Sequence, residues 1–180
     1  MFLSMIKARR SVRKFQDRAV ESDKIDILVE AALRSPSSRG LNPWEFVVIQ
    51  DRAMLDQLAQ CKPHGATFLK NAPLGIVVLA DPKTCDVWTE DTSIAATYIQ
   101  LAAESMALKS CWIQIRNREY EKGKTAGQRV AELLKVPDNL EVACIIAIGY
   151  PAESLPGHLR DSLNFQKIHE EVYGRIRKIR

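Results

Sequence analysis

Four short runs in which nearly every residue is apolar, separated by stretches of helical periodicity, constrain this chain more than any other feature. Phe46-Val47-Val48-Ile49, the run 74–80, the run 111–115 and the run 142–148 are too short for core helices and read as strands buried on both faces. Between them, Ser22 or Asp23 can cap a helix carrying Ile25, Leu28, Val29 and Ala32 on one face, ended by Ser35-Pro36. Asp51 can start a helix with Met54, Leu55 and Leu58, broken at Pro63-His64-Gly65. A long helix capped at Asp91 or Thr92 runs to about residue 108, its alanines permitting close approach of neighbours, and a further helix covers 127–135 before Val136-Pro137. Trp88 falls in the polar connection before the long helix, where a loop indole can face a ligand. Alternation of this kind predicts a sheet covered on both faces, and periodicity alone predicts that the sheet is parallel. At 180 residues and 46% apolar, one domain with a sizeable core is the default expectation.

Charge and cysteine usage narrow the function classes. A net charge of +4 with basic and acidic residues interspersed gives no nucleic-acid footprint. Only Tyr173-Gly174-Arg175-Ile176-Arg177-Lys178-Ile179-Arg180 is strongly basic, and it reads as a solvated tail or last helical turn, with nucleic-acid or membrane contact as the alternative. Cys61, Cys85, Cys111 and Cys144 are scattered, with no Cys-x-x-Cys pair and no histidine at a ligand interval, so they read as reduced thiols. The apolar start Met1-Phe2-Leu3-Ser4-Met5-Ile6 is too short for a secretory or membrane-spanning segment, so a cytoplasmic protein without a membrane partner is expected.

Two segments carry chemistry. Ala8-Arg9-Arg10-Ser11-Val12-Arg13-Lys14-Phe15 places three guanidinium forks and a hydroxyl within five residues, a donor set suited to phosphate oxygens. Pro36-Ser37-Ser38-Arg39-Gly40-Leu41-Asn42-Pro43-Trp44 gathers hydroxyls, an amide and an indole around a turn, a mixture able to hold a planar polar ring. Together they point to a bound phosphorylated flavin. Alternatives stand beside each: Arg13 as a surface ion pair with Asp17 or Glu21, and Ser37-Ser38 as an ordinary helix-ending turn.

With these two segments, the later Leu108-Lys109-Ser110-Cys111-Trp112-Ile113 and the turn Gly149-Tyr150-Pro151, the chain resembles the FMN-dependent nitroreductase family over nearly its whole length. The resemblance implies an α+β, three-layer α/β/α nitroreductase-like fold, in which helices flank a mixed, mostly antiparallel sheet, within an intertwined homodimer with FMN at the subunit interface. It replaces the parallel sheet as the expected architecture. It implies that Arg9, Arg10, Ser11 and Arg13 meet the flavin phosphate or pyrimidine edge, and that Pro36, Ser37, Ser38 and Asn42 reach the flavin from the second subunit. Where the family reads Pro-Ser-x-x-Asn-x-Gln-Pro-Trp, this chain has Gly40 at the Asn position and Asn42 at the Gln position. Gln114 and Ile115 match the strand and loop whose backbone N–H groups meet the flavin N5 region, and His158 and Arg160 match a late phosphate-contacting stretch. The basic C-terminal segment matches one that wraps the partner subunit.

The implied activity is NAD(P)H-dependent, with hydride passing to flavin N5 and then to a nitroaromatic, quinone or other small acceptor in ping-pong fashion. The absence of a Gly-x-Gly-x-x-Gly element agrees with a nicotinamide that stacks only transiently. Competing readings are a specialised flavoenzyme of the same fold (deiodinase, flavin-fragmenting or dehydrogenase type), with 61–71 and the Trp88 region as a short lid, and a non-catalytic flavin-binding or basic interaction protein.

Overall fold

A computed structural model describes residues 2–179. Its helices are α1 (Phe2–Ala8), α2 (Ser22–Leu33), α3 (Arg52–Ala59), α4 (Trp88–Ser105) and α5 (Ala126–Leu134); its strands are β1 (Trp44–Ile49), β2 (Leu74–Ala80), β3 (Lys109–Gln114), β4 (Glu119–Glu121), β5 (Lys124–Thr125) and β6 (Glu141–Gly149). The main sheet has the order β1-β2-β6-β3, and every neighbouring pair is antiparallel. The parallel arrangement suggested by periodicity is therefore wrong, and the α+β, mostly antiparallel expectation holds. An all-apolar run reports burial on both faces and says nothing about direction. Among the described residues one parallel pairing exists, the isolated bridge Ser11–Ser110.

The two central strands are as dry as their sequences: β2 is buried at all seven positions and β6 at eight of nine. On one face they pack against α3, α5 and the turn Thr67–Asn71 through Leu55, Leu58, Leu69, Ile113 and Ile145. On the other they meet α2 and α4 through Leu28, Ile76, Ile99, Ile146 and Ile148. Each fully buried Leu or Ile contributes about 1.5–3 kcal/mol. The outer strand β1 departs from its expected burial, because Glu45 and Val48 are exposed along this edge.

Local signals set most boundaries. The Asp51 carboxylate accepts from the Met54 N–H at 2.7 Å to cap α3, and Thr125 and Gln128 form a reciprocal capping box on α5. Two starts differ from expectation. The N-cap of α2 is Glu21, which makes no side-chain cap bond, so Ser22 and Asp23 lie inside the first turn. Helix α4 begins at Trp88, three residues before Asp91, and Trp88 is a buried member of a small cluster with Ala80, Cys85 and Ala143 rather than a loop side chain. After Gly149 the chain runs as an irregular arm with short 3₁₀ turns at Arg160–Ser162 and Phe165–Lys167. The basic stretch forms no helical turn; His169 and Ile176 make an isolated bridge there, and Arg180 lies outside the described residues.

Candidate functional site

Strand β3 forms one edge of the sheet, so alternate residues aim backbone groups away from β6. Ser110 is one of these: its carbonyl accepts from the Val12 N–H at 3.1 Å, which lays the 9–13 segment along the start of the strand. At the other end the Gln114 carbonyl accepts from Lys62 Nζ at 2.7 Å. Between these two bonds, the alternation leaves the Trp112 N–H and carbonyl and the Gln114 N–H facing outward on the edge, where the Trp112 carbonyl accepts from the Cys111 thiol at 3.6 Å. The Ile115 N–H is not among them, because it and the Arg116 N–H both turn back onto the Ala143 carbonyl.

Because the 9–13 segment is extended, its side chains alternate, and the structure divides what the sequence grouped. Arg9 and Ser11 line a cleft of about 520 Å³ with Ile6, Thr97, Gln100, Leu101 and Trp112. Arg10 turns the other way and donates to the Pro156 carbonyl at 2.5 Å, while Val12 is buried. The Arg13 guanidinium lies 5.8 Å from the Phe68 ring and makes neither of the ion pairs open to it by sequence, since Asp17 pairs with Arg52 and Glu21 with Arg18. Beneath this edge is the Cys111 thiol, which burial pushes up while Arg13, Ser11 and Arg9 pull it back. The free edge of β3 is therefore flanked by Arg9 and Arg13 on one side and Lys62 on the other, none of them with a carboxylate partner among the described residues. Ser110 Oγ, itself buried, accepts from Gln100 Nε2 at 3.3 Å and fixes α4 against the strand.

Gln114 is positioned by side-chain bonds on both sides: its Oε1 accepts from the Trp112 indole at 2.9 Å and its Nε2 donates to the Arg116 carbonyl at 2.8 Å. His158 and Arg160 are exposed on the arm, with Arg160 stacked 5.2 Å from the Phe165 ring. The arm reaches the 9–13 segment through Pro156 and Gly157, where an added Cβ on Gly157 would lie 1.9 Å from the Lys7 carbonyl.

The second segment is elsewhere. Pro36, Ser37, Ser38 and Asn42 precede β1, at the edge of the sheet opposite β3, so three strand spacings or roughly 14 Å separate the edges. Within one chain the two segments do not meet. The loop is nonetheless well held: Asn42 Oδ1 accepts from the Ser37 hydroxyl at 2.7 Å, and the Asn42 N–H donates back to Ser37 Oγ at 2.9 Å. Arg39, Gly40 and Asn42 all take left-handed backbone conformations, and the space beside Gly40 is open. The Ser38 N–H donates at 2.8 Å to Asp91, a buried carboxylate that also accepts from the Cys85 thiol at 3.2 Å. The Asp91 carboxylate thus sits in the first turn of α4 but holds a loop. The Trp44 indole N–H is buried with no acceptor among the described residues.

Sequence reading missed Lys62, Asp91 and Gln100. Asp91 was legible only as a helix start, and no local signal distinguishes Lys62 or Gln100 from ordinary polar residues. Among the described residues no group of three or more His, Cys, Asp or Glu could hold a metal, and no helix is long and apolar enough to cross a membrane.

Comparison with known proteins agrees with this geometry. The family model described as "Nitroreductase family" matches residues 6–61 and 58–150. A solved structure described as an FMN-dependent nitroreductase from Clostridium difficile R20291 superposes with a TM-score of 0.94 at 47% identity, covering 95% of this chain and 99% of that one. An Archaeoglobus fulgidus protein provisionally named NADH dehydrogenase/NAD(P)H nitroreductase is 36% identical over 176 residues, 95% of this chain and 98% of its own length. A free, cation-flanked sheet edge, an arginine-rich segment laid beside it and likeness at this coverage converge on one conclusion: the chain belongs to the nitroreductase family.

Proposed function

We propose that this protein is an NAD(P)H-dependent flavin oxidoreductase that holds FMN on the free edge of β3 and passes reducing equivalents to a nitroaromatic, quinone or other small acceptor. The observation that carries this reading is the edge itself. The Trp112 and Gln114 backbone groups offer both donors and an acceptor to a planar heterocycle, and Arg9, Ser11 and Arg13 offer donors and positive charge to a phosphate and to the electron-rich edge of a ring. The donor set fits FMN. When bound, FMN would supply hydride acceptance from a reduced nicotinamide and electron delivery to an acceptor.

The chain's own residues do the remaining work. Arg9 and Ser11 bind within the cleft beside Trp112, and Arg13, held against Phe68, sets a fixed positive charge beside the edge. Gln114, locked by Trp112 and Arg116, keeps the end of the strand straight. Ser37, Ser38 and Asn42 lie too far away to join this site in their own chain. A second copy, placing its loop against the first copy's β3 edge, would complete the site, and a homodimer is part of the proposal. The loop's preformed shape and the buried Trp44 N–H, which has no acceptor among the described residues, support it.

An absorption spectrum of the purified full-length chain, followed by anaerobic addition of NADH or NADPH, tests the reading. Flavin bands that bleach are expected. Arg9→Met removes a charge-assisted contact of about 1.5–3 kcal/mol and should weaken FMN binding roughly tenfold to a hundredfold. A colourless protein that also fails to bind added FMN would overturn the assignment.

A further inference from the structure

Helix α4 joins the two chemistry-bearing edges of the sheet. Toward its end the Gln100 amide bonds Ser110 at the β3 edge, and near its start, about 13.5 Å back along the axis, Asp91 bonds the loop that precedes β1. Asp91 is 2% exposed and both of its carboxylate oxygens are engaged, one by the Ser38 N–H at 2.8 Å and the other by the Cys85 thiol at 3.2 Å. Cys85 is itself packed with Ala80, Trp88 and Ala143, so this grip leads back to β2 and β6. Among the described residues no Lys, Arg or His lies within ion-pair distance of Asp91. A buried carboxylate without a cation is costly, and this one does not cap its own helix, whose start has no side-chain cap bond. The side chain is spent on the loop instead.

The loop needs holding. Arg39, Gly40 and Asn42 take left-handed conformations, and two of the three lack glycine's freedom, a strain that persists only where the surroundings impose it. The ends are anchored by the Ser35 hydroxyl on the Ala32 carbonyl and by the Asp81 N–H on the Pro43 carbonyl. In the middle, the Arg39–Asp86 ion pair is more than half exposed on both sides and holds little. The buried tie there is Asp91. The Ser38 hydroxyl and the Asn42 amide nitrogen have no protein partner among the described residues and remain available to a ligand.

Resting on the reading of the β3 edge as a flavin site completed by a second copy, we propose that Asp91 is a positioning residue that acts in trans. It locks the loop of its own chain in the strained shape that the second copy's flavin requires, and takes no part in the site on its own β3 edge. The length of α4 between Asp91 and Gln100 carries this: each chain holds half of one site at one end of the helix and half of another at the other end.

Flavin-free protein would be titrated with FMN, following quenching of flavin fluorescence, for the wild type, Asp91→Ala, Asp91→Asn, Arg9→Met and a mixed dimer of one Asp91→Ala chain with one Arg9→Met chain, isolated by two different tags. Asp91→Ala should weaken FMN binding roughly tenfold, because the Ser38 N–H loses its acceptor, and Asp91→Asn, which keeps one acceptor oxygen, should restore most of it. In the mixed dimer, one site joins the intact β3 edge of the Asp91→Ala chain to the intact loop of the Arg9→Met chain. Half of the FMN should therefore bind with wild-type affinity, while the other site carries both defects. General damage to the fold is not repaired by such mixing. Should Asp91→Ala fail to fold, Cys85→Ala, which frees one carboxylate oxygen without emptying the position, replaces it in the mixed dimer, and the same single recovered site is expected. Two weakened sites with none recovered, or wild-type affinity in Asp91→Ala itself, would overturn the inference while leaving the flavin reading intact. A wild type that binds no FMN overturns the flavin reading and this inference with it.

Discussion

Glu21, just before α2, shows what one residue contributes to the joints around the site. Its carboxylate is held down to about 2 by its own backbone N–H, then by the Tyr150 hydroxyl and the Arg18 guanidinium. Tyr150 donates to it at 2.8 Å and accepts from Lys24, while Arg18 stacks 3.8 Å from the same phenol ring. This network ties the start of α2 to the end of β6, from which the arm toward Arg10 departs. A carboxylate whose folded pKa is depressed stabilises the fold fully above its unfolded value and loses that contribution as pH falls toward the folded one. The stability difference between wild type and Glu21→Gln should therefore stay constant down to about pH 4.5 and close between there and about pH 2. Thermal melts across that range check it; a gap that ignores pH would show that the charge contributes nothing. The buried thiols have a different character. Burial raises Cys61 to about 11 and pushes Cys144 up further, as expected of packed thiols.

At the scale of elements, the site depends on how closely the C-terminal arm approaches α1. Gly157 packs where a Cβ would lie 1.9 Å from the Lys7 carbonyl, and a backbone atom cannot move aside as a side-chain tip can. Gly157→Ala should push the arm away from the segment that carries Arg9 and Arg10, breaking the Arg10–Pro156 bond. Overpacking of this kind costs typically 1–3 kcal/mol. The expected outcome is a lowered Tm together with weakened FMN binding; a variant that loses neither would show that the arm does not shape the site. No local signal marks this contact, since a glycine in an irregular segment reads as a turn residue. Asp91 is similar: its place at the start of α4 was legible, but its grip on Ser38 joins residues 53 positions apart.

At the scale of the molecule, apolar residues remain uncovered on α1, α2 and α4, among them Phe2, Leu3, Ile27, Leu33, Ile94 and Tyr98. Phe2, Met5, Ala31, Tyr98 and Leu101 line a shared groove between these helices. The proposed second copy is expected to cover this apolar groove, because the two chemistry-bearing segments lie at opposite sheet edges of one chain. Sedimentation should give twice the 20.3 kDa chain mass, and Tyr98→Glu should shift it toward the monomer while releasing FMN. A monomer that keeps FMN at wild-type affinity would sink the idea that the partner completes the site.

Local signals in the sequence specified the four strands of the main sheet, helices α2 to α5 and the residue types of the candidate site, but neither α1 nor the short β4–β5 hairpin. Those follow from local rules of apolar period, capping and the donor geometry of arginine, which need only neighbours along the chain. Strand direction, the separation of Arg10 from Arg9, Ser11 and Arg13, and the burial of Trp88 were decided only by tertiary structure. So were the placing of Lys62 at the Gln114 carbonyl and of Asp91 beneath Ser38. Each of these depends on which distant segments share an edge or a face, and an apolar run or a lone charged residue carries no record of its partner.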